Sequence, residues 1–221
     1  MAVLTVDGDI ISNDMQEVYE WWGYSCTSPR KVREALDSKP DNENLIIQIN
    51  SPGGLVSAGQ EIYSMLRERN DIEIQVTGMA CSSASIIAMA GPCYMSEPAM
   101  MMIHNVSSYA DGDYHEMERT AETLKEINKA LANAYVAKTG KDLKEILKMM
   151  DSETWIPAKE AIEQGFADGY IAREDTAVNA FGSGLSISKD QIKAFQEAKA
   201  KEREDKERKM SLLNDLYKYG I

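Results

Sequence analysis

Residues 72 to 91 set a strand, a turn and a buried helix in immediate succession, and the rest of the chain is organised around that unit. The run Ile72-Glu73-Ile74-Gln75-Val76 alternates apolar and polar side chains, the period of a half-buried strand. From Ser82 to Ala90 the residues are small or apolar on every face, which predicts a helix buried all round. The turn between them, Gly78 to Ser82, brings a serine hydroxyl to a helix N-terminus, where backbone N–H groups have no intrahelical partner. A nucleophile beside unpaired donors is an arrangement that stabilises a developing oxyanion. The same residues also suit a plain structural role, with Ser82, Ser83 and Ser85 capping or packing the helix.

The flanking chain repeats the strand-to-helix order. Val3 to Val6 predicts a first strand that ends in a turn at Asp7-Gly8-Asp9, after which Ile10-Ile11 resume it. Residues 12 to 27 read as an irregular aromatic stretch whose Trp21 and Trp22 serve packing rather than chemistry. Ser28-Pro29 supplies an N-cap and a first-turn proline for a helix reaching Leu36 or Ser38. Leu45 to Asn50 is an apolar strand running into a Gly-Gly loop, Ser51-Pro52-Gly53-Gly54, and a helix follows from Val56 to Arg69. Repeated β-α-β units favour an α/β fold with a largely parallel central sheet and right-handed crossovers.

Short strands are expected at Cys93 to Met95 and Met100 to Ile103. A long amphipathic helix follows, with apolar positions from Met117 to Tyr135 and a stop at Gly140. Asp142 with Glu145 resembles a capping box for the next helix, to Met149 or Met150. Residues 151 to 157 read as a loop, 158 to 164 as a short helix and 170 to 172 as a last strand. Composition changes near Arg173, which divides the chain into a globular domain over 1–173, a flexible Gly-Ser linker over 174–188 and a charged, helical or partly disordered tail over 189–221.

Bulk properties exclude several classes. The 221 residues suffice for a core without disulfides, and three cysteines without metal-like spacing imply a reduced chain with no metal and no cofactor. A net charge of −12 argues against general affinity for nucleic acid. The sequence has neither a signal-peptide pattern nor an apolar run long enough for a membrane span, so a cytoplasmic location is expected.

Only two histidines are present. His115 lies among acidic residues in a polar segment opening the long helix and reads as a surface residue. His104 follows a predicted strand directly, at the sheet edge where α/β proteins build their sites. A lone histidine at a strand end also suits a packed core position, but beside a serine turn and a Gly-Gly loop the balance moves towards a catalytic base.

Four motifs in order carry a resemblance: Ile49-Asn50-Ser51-Pro52-Gly53-Gly54 with Ala58-Gly59, Gly78-x-Ala80-x-Ser82 with Ala90-Gly91, Met102-Ile103-His104, and Glu160-Ala161-Ile162-Glu163-Gln164-Gly165. Over about residues 3 to 172 the chain resembles the proteolytic subunit of the Clp protease (ClpP). The resemblance implies the ClpP/crotonase-type fold with a long protruding helix, a serine peptidase acting on proteins or peptides, and homo-oligomeric rings that enclose the sites. It assigns Ser82 as nucleophile, His104 as general base, and the backbone N–H groups of Gly54 and Ser83 as oxyanion donors. The family's aspartate position falls on Glu153, with Asp151 as the alternative two residues earlier.

Other departures point to a branch of the family. The turn between Gly91 and His104 is short, Ala84 stands where glycine is usual, the family's pore-gating N-terminal segment has no counterpart, and an aromatic insertion precedes the first helix. With the charged tail, these resemble the Clp-like proteases of bacteriophage and prophage head-assembly modules. That likeness implies ATP-independent cleavage of capsid or scaffold proteins, in the host cytoplasm or the prohead interior. The competing readings are a housekeeping-like subunit working with an ATPase, a Ser-Lys signal-peptide-peptidase relative, acyl-CoA chemistry on the crotonase fold, and a noncatalytic scaffold that retains the fold.

Overall fold

A computed structural model describes residues 2–40 and 43–172, together with positions 199, 201, 203 and 208. The described core lies within Met1–Arg173. The linker and tail expected over 174–221 otherwise fall outside the described residues.

The described residues form one eight-stranded sheet in the order β2 (Cys26–Thr27), β1 (Ala2–Ile10), β3 (Leu45–Gly54), β4 (Ile72–Cys81), β5 (Cys93–Met95) and β8 (Gly169–Tyr170), with β6 (Met100–Ile103) pairing to both β4 and β7 (Thr154–Pro157). Every pairing is parallel except β6 with β7. The order follows from two central strands, β3 (Leu45–Gly54) and β4 (Ile72–Cys81), each followed by a helix. Their alternate residues Leu45, Ile47, Ile49, Ile72, Ile74 and Val76 are buried, as the period of two requires. These side chains join Ile62 and Leu66 of α3 (Val56–Arg67) and the fully buried α4 (Ser83–Ala88) in one core. The α/β fold class expected from the repeated units is the one observed.

Several local expectations change. Residues 12 to 27 are not irregular: they hold helix α1 (Gln16–Trp22) and strand β2 (Cys26–Thr27), which pairs with the end of β1 (Ala2–Ile10). Helix α1 buries none of its residues, and Trp21 and Trp22 are 51% and 48% exposed, so they do not pack the core. Strand β1 runs on through Asp7 to Asp9, absorbing the glycine as a register shift rather than a turn. Residues 151 to 157 contain strand β7 (Thr154–Pro157), which lies antiparallel to β6 (Met100–Ile103). A strand this short leaves little periodicity to read, and its partner supplies the pairing.

Helix ends behave as their chemistry dictates. Ser28 caps α2 (Pro29–Ser38) by accepting from the Lys31 N–H, with proline in the first turn. Helix α5 (Tyr114–Thr139) starts in a full capping box from Asp113 and Glu116 and ends at Gly140 in the left-handed conformation. Asp142 caps α6 (Leu143–Asp151), but Glu145 pairs with Lys141 instead of closing a box. Of the 26 residues of α5, the buried ones begin only at Asn128, so its first half stands away from the core. The chain continues through α7 (Ala158–Glu163), and β8 (Gly169–Tyr170) pairs with β5 (Cys93–Met95).

Cys26, Cys81 and Cys93 are free and buried, as a reduced chain requires. Burial pushes the Cys93 thiol up to about 12 and raises the other two. A thiol reagent at pH 8 should therefore leave all three unmodified in the native protein and modify all three in denaturant. Rapid native labelling of Cys93 would show that the core around β5 opens readily.

Candidate active site

The strand-to-helix turn is tighter than the sequence suggests. Strand β4 remains paired through Cys81, whose register partner in β6 is Met102, and α4 begins at Ser83. The whole change of direction falls on Ser82, at φ 55° and ψ −126°. A positive φ at a residue with a Cβ costs about 1–3 kcal/mol and persists only where the surroundings enforce it. Here the Ser82 N–H donates to the Met102 carbonyl at 2.9 Å, while the Ser85 N–H donates back to the Ser82 carbonyl at 2.9 Å.

The β4–β6 register also delivers the histidine. His104 follows Ile103, the last residue of β6, so it leaves the strand beside the Ser82 turn. Its Nε2 lies 2.8 Å from Ser82 Oγ. After His104 the chain is tied down by Asn128 of α5, whose side-chain oxygen accepts from the Val106 N–H at 2.8 Å. The sequence marks Asn128 only as a polar residue on the inward face of an amphipathic helix. His115 is exposed on the first turn of α5, as expected.

The Gly-Gly loop is the paired end of β3: Gly53 and Gly54 face Asp9 and Ile10 of β1. Both have positive φ, 100° and 147°. Close approach explains both glycines, since a Cβ on Gly53 would stand 2.7 Å from Ser82 Cβ and one on Gly54 would stand 2.2 Å from the Ile10 carbonyl oxygen. The backbone of Gly53 thus lies against the serine turn and that of Gly54 against Ile10 of β1, and Ser83 is the first residue of α4, where an N–H has no intrahelical acceptor.

Neither candidate acid hydrogen-bonds His104. Asp151 accepts from the Asn105 side-chain amide at 2.8 Å. Glu153 accepts from the Trp155 indole N–H at 3.3 Å and has a φ of 46°. The ladder of β6 with β7 ends at Ile103 and Thr154, so His104 and Glu153 are the residues that flank its last pair, and Asp151 lies two residues before Glu153 in the chain.

A small pocket opens beside Ser82 and His104, with Val56, Ile86, Leu131 and Met150 among its walls. A larger cleft shares Val56 and Val106 with it and runs between Gly54-Leu55 and helix α5.

The Clp protease family profile matches residues 33–174. This chain belongs to the Clp protease family. It is 32% identical over 140 residues to the ATP-dependent Clp protease proteolytic subunit of Ligilactobacillus salivarius (strain UCC118), an alignment covering 62% of this chain and 71% of the relative. The ClpP-type fold matches the mostly parallel sheet observed here, and the matched span contains Gly54, Ser82, His104 and both acids. Helix α1 lies outside it. No described helix of this Clp protease family member is long and apolar enough to cross a membrane, and no described cluster of His, Cys, Asp or Glu could hold a metal ion.

The glycine geometry is testable. Gly54→Ala should lower stability by about 2 kcal/mol or more, because both φ and the Ile10 carbonyl oppose it. Gly140→Ala, also at positive φ but with nothing within 4 Å of the new Cβ, should cost only about 1 kcal/mol. Equal losses in urea unfolding would remove close approach as the reason for glycine at 54.

Proposed function

We propose that this chain is a serine endopeptidase in which Ser82 is the nucleophile and His104 the general base. The observation that carries the reading is the 2.8 Å contact between Ser82 Oγ and His104 Nε2 at a strained strand-to-helix turn. His104 Nε2 takes the hydroxyl proton as Ser82 Oγ attacks the scissile carbonyl, then returns it to the leaving amine. Water, deprotonated by the same nitrogen, hydrolyses the acyl-enzyme. The Gly54 and Ser83 N–H groups serve as the oxyanion donors.

For Nε2 to accept a proton, the ring hydrogen must sit on Nδ1, and a carboxylate facing Nδ1 holds that tautomer. The register supports Glu153 for this role, its side chain turning from Trp155 towards His104. Asp151 is the alternative, already engaged by Asn105.

Ser82→Ala should abolish labelling by a fluorophosphonate probe and peptide hydrolysis, with the thermal transition preserved. Persistent Ser82-independent hydrolysis would overturn the assignment. Glu153→Gln should lower kcat by orders of magnitude, as loss of the orienting carboxylate does in serine proteases, while Asp151→Asn should have a small effect. The reverse pattern would transfer the role to Asp151.

The finer reading is a ring-forming homo-oligomer that cleaves capsid or scaffold proteins without an ATPase. The aromatic helix α1, inserted between β1 and α2, and the charged composition of 189–221 support it. The name of the Ligilactobacillus relative favours the second reading, a subunit that works with an ATPase. Degradation of a folded protein only with a Clp ATPase and ATP would select the second. Cleavage of a capsid or scaffold protein by the chain alone would select the first.

A further inference from the structure

We propose that Tyr135 and Ser85 form a two-hydroxyl chain that aims the Ser83 N–H at the developing oxyanion, making both of them positioning residues for hydrolysis. The inference rests on Ser82 as nucleophile and Ser83 as an oxyanion donor.

The Ser82 carbonyl oxygen is held from several directions. It accepts from the Ser85 N–H at 2.9 Å, the Ile86 N–H at 3.4 Å and the Ser85 hydroxyl at 2.6 Å. Tyr135 Oη lies 2.7 Å from the same Ser85 hydroxyl. Proton bookkeeping fixes the direction of the chain. A carbonyl oxygen only accepts, so the single Ser85 hydroxyl hydrogen is committed to Ser82, and Tyr135 must be the donor to Ser85. Both groups are out of water, with Tyr135 2% exposed and Ser85 0%. Burial pushes the Tyr135 phenol well above its usual range, so it remains a donor wherever the protein is active.

The consequence follows from the peptide bond. The Ser82 carbonyl and the Ser83 N–H belong to one planar trans peptide and point in opposite directions. Clamping the oxygen therefore fixes where the N–H aims. One helical bond of 2.9 Å and one of 3.4 Å at the start of a six-residue helix leave that first peptide free to tilt, and the hydroxyl chain adds a third anchor from α5, across the core. Tyr135 also lines the pocket beside Ser82, and its ring packs edge-on against Phe166 at a centroid distance of 6.0 Å, which locks the phenol in place.

A tilted oxyanion donor weakens transition-state binding more than substrate binding. Tyr135→Phe keeps the ring and removes only the donor, and Ser85→Ala removes the link. The experiment measures kcat and KM on a peptide ester and the inhibition constant of a peptide boronate, whose tetrahedral adduct with Ser82 places an oxygen in the oxyanion position. Concentrations are normalised to sites titrated with a fluorophosphonate, so that unfolded protein does not enter. We expect each variant to lose about ten-fold or more in kcat, with KM within about two-fold and boronate affinity falling with kcat. The double variant should be no worse than Ser85→Ala, because both act through one chain. Unchanged kcat and boronate affinity in Tyr135→Phe, or a loss confined to KM, would overturn the inference. If Ser85→Ala does not fold, Tyr135→Phe alone decides. Failure of the wild type to be labelled at Ser82 would instead overturn the nucleophile assignment beneath it.

Discussion

The arrangement of the site depends on the pairing of β4 with β6. Cys81 and Met102 are register partners, and the Ser82 N–H continues that ladder by donating to the Met102 carbonyl. This bond holds Ser82 in its positive-φ conformation while placing His104, two residues past Met102, within hydrogen-bond reach of the hydroxyl. A one-residue slip would turn alternate side chains to the other face and separate serine from histidine. Buried apolar partners in both strands, including Ala80, Met101 and Ile103, make such a slip costly.

Around this pairing the remaining elements act as supports. The end of β3 brings a backbone that can carry no Cβ against the serine turn. Strand β7, antiparallel to β6, ends its ladder at Thr154 against Ile103, next to Glu153 and His104 in the chain. Helix α5 contributes two buried polar contacts from its inner half, Asn128 to the Val106 N–H and Tyr135 to Ser85. Polar groups buried at this depth are stable only when paired, so each fixes a segment of the site as well as satisfying itself.

The same helix accounts for an asymmetry in the molecule. Its first half buries no residue, whereas its second half packs into the core. Length and capping sustain the exposed half, since the full capping box at Asp113 and ion pairs such as Lys125 with Glu122 satisfy it locally. Helix α1 is exposed in a different way, presenting Val18, Trp21 and Trp22 outward. Apolar side chains gathered in this way set it apart from the charged surface of α5.

The sequence by itself determined the α/β class, the candidate serine and histidine, and most helix ends. Period-two strands, an all-apolar helix, cap residues and a scarcity of histidines are local signals that survive without knowledge of partners. It left Glu153 and Asp151 unresolved, read β7 as loop and α1 as irregular, and gave Ser85 only a capping or packing role. Those depend on what lies across the fold. Strand β7 exists because β6 is there to pair with it. Ser85 meets a phenol fifty residues away in sequence only because α5 crosses the core. The strain at Ser82 likewise belongs to the tertiary structure, because no isolated turn would hold a serine at positive φ without the strand and helix bonds that grip it from both sides.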